Sequence, residues 1–286
     1  MKRDRIIGAA LLVVALSAIL GLALIAVFIF REGVPIILRV GARKFFLSTD
    51  WEPSLGHFGI LSLLAGSLVV TVGAAVIGVV FSLGLAIVLT QFSPPGLSAA
   101  AKPLIELLAG IPSFVYGFVG VVTLVPLIRH SFGGSGLSVL AASIVLGVMI
   151  LPTITSIAID ALQAVPRSYL EGSIALGATR WQTVTMVLLR AARSGIVAAV
   201  ILGMGRAIGE TMAVIMVAGN ALAVPHSPLD PVRTLTSNIA LEMGYASGDH
   251  RQALFATGVT LFVIITLLNT AALAASRRRA GRRRAK

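Results

Sequence analysis

Residues 195–222 read GIVAAVILGMGRAIGETMAVIMVAGNAL, and this stretch decides the architecture. It holds only two charged residues, Arg206 and Glu210. An apolar run of this length exceeds the roughly 20 residues that one bilayer crossing needs. Lipid offers no partner for backbone N–H and C=O groups, so the run must be helical. A charge at the bilayer midplane costs about 2.5–3.5 kcal/mol on insertion scales, so two in one span need a reason. They stand four residues apart and share a helix face. One reason is a self-neutralising pair that helps neighbouring helices pack. The other is a face that lines a polar path for a charged solute. The path is preferred, because intramembrane charges are functional by default, and because the planar guanidinium fork matches an oxyanion. Gly205 and Gly209 have the small-xxx-small spacing of close helix contact, which by itself speaks only of packing.

The rest of the chain has the same character. Of 286 residues, 57% are hydrophobic and 12% charged, with mean hydropathy +0.99. A soluble domain has about a quarter charged residues. Six apolar runs predict an all-α bundle of six transmembrane spans: Ile6–Phe30, Ile60–Phe92, Pro103–Ile128, Leu137–Leu162, Gly195–Val224 and Ala253–Ala275. The first run follows Lys2, Arg3 and Arg5 but is too long for the apolar region of a signal peptide, so it reads as a membrane anchor. The expected division is an anchor helix with an external segment over 1–59, a core over 60–275, and a basic tail over 276–286.

The net charge of +12 reflects membrane topology and gives no reason to expect nucleic acid. With both termini in the cytoplasm, Lys2, Arg3, Arg5, Lys102, Arg167, Arg180, Arg190, Arg193 and the basic residues of 277–286 lie inside. Only Arg31, Arg39, Arg43, Lys44, Arg129, Arg233 and Arg251 then lie outside. That bias predicts a multi-pass protein of the bacterial cytoplasmic (inner) membrane with both ends inside. The tail is expected to touch anionic lipid headgroups. In the external segment 31–59, Trp51 reads as an interfacial aromatic anchor in preference to a lid or partner contact. Residues 224–252 carry Pro225, Pro228 and Pro231 and predict an irregular outer loop with at most one short helix.

The polar stretch 163–193, QAVPRSYLEGSIALGATRWQTVTMVLLRAAR, cannot lie in lipid. Pro166 suits a first helical turn, and Arg167 and Glu171 can pair at four-residue spacing. Gly177 suits a left-handed helix stop, and Thr179 can cap a second helix. The loop is therefore two short helices at a sharp bend, a rigid handle for a soluble motor. In the third span Glu106 is placed near a helix N-terminus, where the dipole favours a carboxylate, or paired with Lys102. Pro112 is expected to kink the helix beside Ser113.

Several functions are excluded. There is no cysteine, hence no disulfide or thiolate chemistry. No G-x-x-x-x-G-K-[ST] loop is present, so ATP is not bound that way. No nucleophile–base or metal constellation stands out, and His57, His130, His226 and His250 are scattered in outer loops. No cofactor and no enzymatic reaction are expected.

Three motifs carry a family resemblance. Glu171-Gly172-Ser173-x-x-x-Gly177 resembles the E-A-A-x-x-x-G loop of binding-protein-dependent ABC import permeases, with Val187 and Leu189 where that family has Ile and Leu. Gly172-Ser173 replaces Ala-Ala, and Arg190 replaces Pro. The run 205–214, GRAIGETMAV, with Gly219-Asn220 beyond it, resembles the fifth-helix signature of phosphate-specific permeases; a related R-A-x-G-E core occurs in sulfate and molybdate permeases. Residues 106–117, ELLAGIPSFVYG, resemble the same phosphate branch, and 47–59 resemble its PstC-type member. The resemblance covers roughly residues 45–275.

It implies a type I ABC importer permease fold working as a heterodimer with a second, PstA-like permease, two ATP-binding subunits and an external phosphate-binding protein. It implies a substrate path at Arg206, Glu210, Glu106, Ser113 and Thr211, with Glu210 orienting Arg206 or balancing its charge when the path is empty. It implies ATPase coupling through Arg167, Glu171, Gly172, Ser173, Gly177 and Ala178. A permease for another oxyanion, or an ion-coupled secondary transporter, are the alternatives.

Overall fold

The computed structural model describes the backbone of residues 2–284. Among the described residues, six helical stretches are long and apolar enough to cross a membrane: Leu11–Val40, Leu61–Phe92, Ser113–Phe132, Val139–Gln163, Arg180–Ile208 and Gly248–Ala271. The number expected from hydropathy is met, and three boundaries are corrected.

Helix α1 (Lys2–Val40) runs ten residues past the expected stop at Phe30. Its later turns gain a packing partner, which outweighs the charges of Arg31 and Glu32. The partner is α13 (Gly248–Arg284). Phe28 meets Phe255 edge-on at 5.4 Å, and Phe30 meets Phe262 at 5.7 Å. Arg39 donates to Asp249 and Gln252, both at 2.8 Å. The earlier turns, Leu11–Ile25, leave their large apolar side chains exposed on the isolated chain, as a lipid-facing helix does. The side chains of the tail beyond 271 lie outside the described residues.

After α1 come α2 (Ala42–Leu47) and a small hairpin, β1 (Trp51–Glu52) and β2 (His57–Phe58), with Trp51 opposite Phe58. Helix α3 (Leu61–Ile87) continues through a π turn, Val88–Phe92. The third span is not continuous from Pro103. Helix α4 (Pro95–Ala109) stops, Gly110-Ile111-Pro112 is irregular, and α5 (Ser113–Val119) restarts, leading through a π turn at Gly120–Leu124 into α6 (Val125–Phe132). Pro112 takes an extended ψ of 139°, which opens a gap where a kink was expected. Glu106 thus lies in the last turns of α4, away from any helix start. Lys102 turns to Asp160 at 3.7 Å.

The fifth span breaks as well. Helix α10 (Leu189–Ile208) ends at Gly209, and α11 (Met212–Val217) begins after Glu210 and Thr211. Arg206 and Glu210 therefore flank a break and do not share one helical face.

Helix α7 (Val139–Gln163) is the axis of the bundle, with α3, α4, α5, α10 and α11 packed around it. Leu146, Met149, Ile150 and Ile154 of α7 are fully enclosed in the central layer. A second apolar layer caps the hairpin end, with Ile36, Phe45, Trp51, Ile60 and Leu254. A third lies at the opposite end, with Leu89, Ile105, Leu162 and Leu188, beneath the loop of α8 (Arg167–Ala175) and α9 (Arg180–Gln182). At the hairpin end the stretch 218–234 is irregular and leads to one short helix, α12 (Leu235–Glu242), as the prolines predicted. Asp230 pins this stretch by accepting the His226 and Ser227 backbone N–H groups at 2.8 Å, which holds its carboxyl below the ordinary aspartate range.

Candidate functional site

The two interrupted spans place their breaks side by side. A Cβ on Gly117 would stand 2.8 Å from the Ala213 Cα, and one on Gly120 would stand 3.0 Å from Val217. Moving along α5 thus moves the same way along α11, so the two helices are parallel and closely packed. Only glycine allows this approach. Ser113 opens α5 just past the Gly110–Pro112 break, and Met212 opens α11 just past the Gly209–Thr211 break, so both breaks stand at the same end of this helix pair. Broken spans expose backbone groups that a continuous helix would consume. Such irregular backbone inside a membrane protein is confined to buried or cavity-lining positions.

Around this junction each side chain has a definite partner. Arg206 is half-buried and its Nη1 donates to Thr153 Oγ1 at 3.1 Å. Glu210 Oε1 accepts the Ala213 N–H at 3.1 Å, capping the first turn of α11. The self-neutralising pair is therefore not formed: the guanidinium and the carboxylate answer to different groups. Tyr116 donates across the first break to the Leu108 carbonyl at 2.8 Å and lies within reach of the Arg206 charge. Thr211 is half-buried, with a long 3.4 Å bond to Gly209 O. Ser113 opens α5. A mostly apolar cavity of about 390 Å³ lies along α5, lined by Ile111, Val115, Tyr116, Thr123 and Val148 among others; Tyr116 borders it, and Arg206, Glu210, Thr211 and Ser113 do not. The structure places Arg206, Glu210 and Thr211 at the second break and Ser113 just past the first. Glu106 stands apart, exposed on α4, and its carboxylate has no hydrogen bond or ion pair among the described residues. Thr153 was missed from sequence; a threonine after Pro152 in an apolar helix gives no sign of its partner.

The polar loop folds as its residues predict. Pro166 precedes α8, and Gly177 takes φ +82°, the left-handed value that glycine accepts without a Cβ penalty. Thr179 and Gln182 form a capping box at α9. Ser173 Oγ lies 3.0 Å from Thr183 Oγ1, and Ala178 N–H donates to Ser173 O at 3.2 Å, so the two arms are tied across the bend. Arg167 and Glu171 are exposed and form no ion pair among the described residues. Leu176 is 90% exposed and Trp181 62% exposed on this projection, with Tyr169 and Ile174 also exposed, more apolar surface than a free loop would show to water.

A third cluster was not foreseen. Glu242 is 7% exposed. Its Oε1 accepts from Arg233 Nη1 at 2.7 Å, and its Oε2 accepts from Trp51 Nε1 and His250 Nε2, both at 2.8 Å. Trp51 is therefore a buried strut that ties the hairpin to α12, and the interfacial anchor expected of it is corrected. Arg233 also reaches the Asn220 carbonyl at 3.0 Å and Asn238 Oδ1 at 3.1 Å. A buried indole N–H needs a partner, but nothing local identifies Glu242, which lies 191 residues on.

Six spans among the described residues, one of them the central axis and two of them interrupted, with a rigid helical handle at one end, define a polytopic membrane transport subunit. The chain belongs to the family of binding-protein-dependent transport system inner membrane components, whose model matches residues 78–281. It is 43% identical over 257 residues to the probable ABC transporter permease protein YqgH of Bacillus subtilis, covering 87% of this chain and 83% of that one. It is 35% identical over 270 residues to the phosphate transport system permease protein PstC of Haemophilus influenzae, covering 85% and 86%. Among solved structures, a bacterial ABC transporter for import of the acidic polysaccharide alginate overlays with TM-score 0.67 at 15% identity, over 97% of both chains. The MetNI methionine ABC transporter overlays with TM-score 0.59 at 23% identity, over 80% of this chain and 99% of that one. The chain is thus a membrane subunit of an ABC importer, with the type I importer permease fold. It is not itself an enzyme, and it belongs to a system that also includes an ATPase and a solute-binding protein.

Proposed function

We propose that this chain forms one half of the path of a phosphate importer, paired with a PstA-like second permease, with both termini in the cytoplasm. The observation that carries the reading is Arg206. Its guanidinium is half-buried at the junction of two broken spans, bonded to a neutral hydroxyl and left without a carboxylate partner among the described residues. Such a cation is a stable resting group only if an anion visits it. The phosphate class is supported by the GRAIGETMAV and ELLAGIPSFVYG runs and by the likeness to PstC phosphate transport permeases. An external binding protein delivers the anion to the hairpin end. Two ATPase subunits grip the α8–α9 bend, where Leu176 and Trp181 supply an apolar contact and Glu171, Gly172, Ser173, Gly177 and Ala178 shape it. ATP binding draws these handles together and opens the helices outward; phosphate then passes Arg206, Ser113 and Thr211.

The test is uptake of labelled phosphate by cells lacking this chain, restored with the wild type or with Arg206→Ala. The variant is expected to assemble and to lose uptake at least about a hundredfold, since loss of a charged hydrogen-bonding partner to the anion costs about 3 kcal/mol or more. Normal uptake by Arg206→Ala removes this residue from the path. The R-A-x-G-E core shared with sulfate and molybdate permeases favours one second reading, another oxyanion, and competition by those anions separates the two.

A further inference from the structure

The break at Gly209–Thr211 leaves the Glu210 carbonyl outside both helices, and this carbonyl does not go unbonded. Thr236 Oγ1, on α12 in the outer loop, donates to it at 2.7 Å. Behind Thr236 stands a chain of hydroxyls whose proton order follows from valence alone. A carbonyl only accepts, so the single Thr236 proton points at Glu210 O. Thr236 Oγ1 must then accept from Thr234 Oγ1 at 3.1 Å. With its proton used, Thr234 accepts from Ser237 Oγ at 2.8 Å and from the Ser237 N–H at 3.2 Å. The chain Ser237→Thr234→Thr236→Glu210 C=O is thus directed and closed, and each member is at most 7% exposed apart from Glu210. Hydroxyls in series polarise one another in a water-poor site. The other end of α12 is held at Glu242 by Arg233, Trp51 and His250. Beside that end lies an outer cavity of about 600 Å³, bordered by Glu242, His250, Tyr245 and Phe58. The Leu235 N–H is tied to Ser67 Oγ of α3 at 2.9 Å, so α12 is fixed at both ends and has little freedom to slide.

We propose that Thr236 is a positioning residue for transport: α12 clamps the broken fifth span through the Glu210 carbonyl and so sets where the Arg206 junction sits relative to the outer surface. This proposal rests on the reading of Arg206 as part of the path. Thr236 itself touches no solute; it acts on the backbone that carries Glu210 and, four residues before it, Arg206. Displacing α12 from outside would release the carbonyl and let the Gly209–Thr211 segment rearrange, while an intact clamp holds the junction closed to that movement.

The test uses the complete transporter in proteoliposomes with its ATPase and substrate-loaded binding protein, comparing Thr236→Val and Thr236→Ser. Valine keeps the shape and removes the hydroxyl; serine keeps the hydroxyl and removes the methyl. Thr236→Val is expected to lower maximal uptake about five- to tenfold, with less than a twofold change in the solute concentration for half-maximal uptake, because solute capture belongs to the binding protein. Amide hydrogen exchange in the peptide spanning 208–214 is expected to speed up by a similar factor, and Thr236→Ser is expected to restore both. If the second valine methyl prevents assembly, Thr236→Ala replaces it. Wild-type exchange in the hydroxyl-free variant, or equal impairment of the valine and serine variants, overturns the clamp. The exchange measurement reads the backbone in the absence of transport, so it stands even if Arg206→Ala transports normally and the path reading falls.

Discussion

Glu242 shows what a single buried carboxylate can organise when both of its oxygens have donors. Two oxygens hold a guanidinium, an indole and an imidazole drawn from three separate stretches of chain. Because a carboxylate can only accept, His250 must carry its proton on Nε2. Removing the carboxylate leaves Arg233, whose side chain is 17% exposed, without its anion. Glu242→Ala is therefore expected to cost about 3 kcal/mol, the range for breaking a buried pair from one side. Trp51→Phe keeps most of the ring packing against Phe58 and loses one hydrogen bond, for about 1 kcal/mol. Thermal unfolding of the purified chain in detergent ranks the two; a larger loss for Trp51→Phe would show that packing, and not the carboxylate, governs this end. None of this was legible beforehand. A tryptophan in an outer segment reads the same whether its N–H meets water, a headgroup or a glutamate far along the chain.

At the scale of elements, local chemistry was legible and helix continuity was not. The bend between α8 and α9 followed from Pro166, Gly177 and Thr179 because each acts within a few residues of itself. Gly177→Leu must adopt a left-handed conformation that costs a side-chain-bearing residue about 1–2 kcal/mol, or else move the bend. ATP hydrolysed per solute imported is expected to rise at least about tenfold in proteoliposomes, with the ATPase still bound; an unchanged ratio would mean that the bend carries no coupling. The breaks at Gly110–Pro112 and Gly209–Thr211 were hidden for the opposite reason. Hydropathy sums along the chain and scores a broken span and a continuous one alike. Charges four apart suggested one face, whereas Glu210 spends its carboxylate on the Ala213 N–H and Arg206 turns to Thr153. What restarts the helix is a cap contributed from the side, and that competition between local pairings is invisible to a count of apolar residues.

For the molecule as a whole, six spans and their order were legible because bilayer thickness is a fixed ruler. The orientation proposed from the distribution of Lys and Arg has a direct check. The chain lacks cysteine, so single reporters are unambiguous. A membrane-impermeant maleimide added to intact spheroplasts is expected to label Ser54→Cys in the hairpin and to reach Leu176→Cys only after permeabilisation; the reverse order would invert the topology. The junction of the first and last helices has a further consequence. They are bound to each other from Phe28 to Arg39, while Leu11–Ile25 leave their large apolar side chains exposed. In a bilayer acyl tails cover that bare stretch, so the hydrocarbon chain is in effect a structural component of this subunit. Extraction into a short-tailed detergent removes that filler, and the first helix then keeps only half of the company that holds it upright.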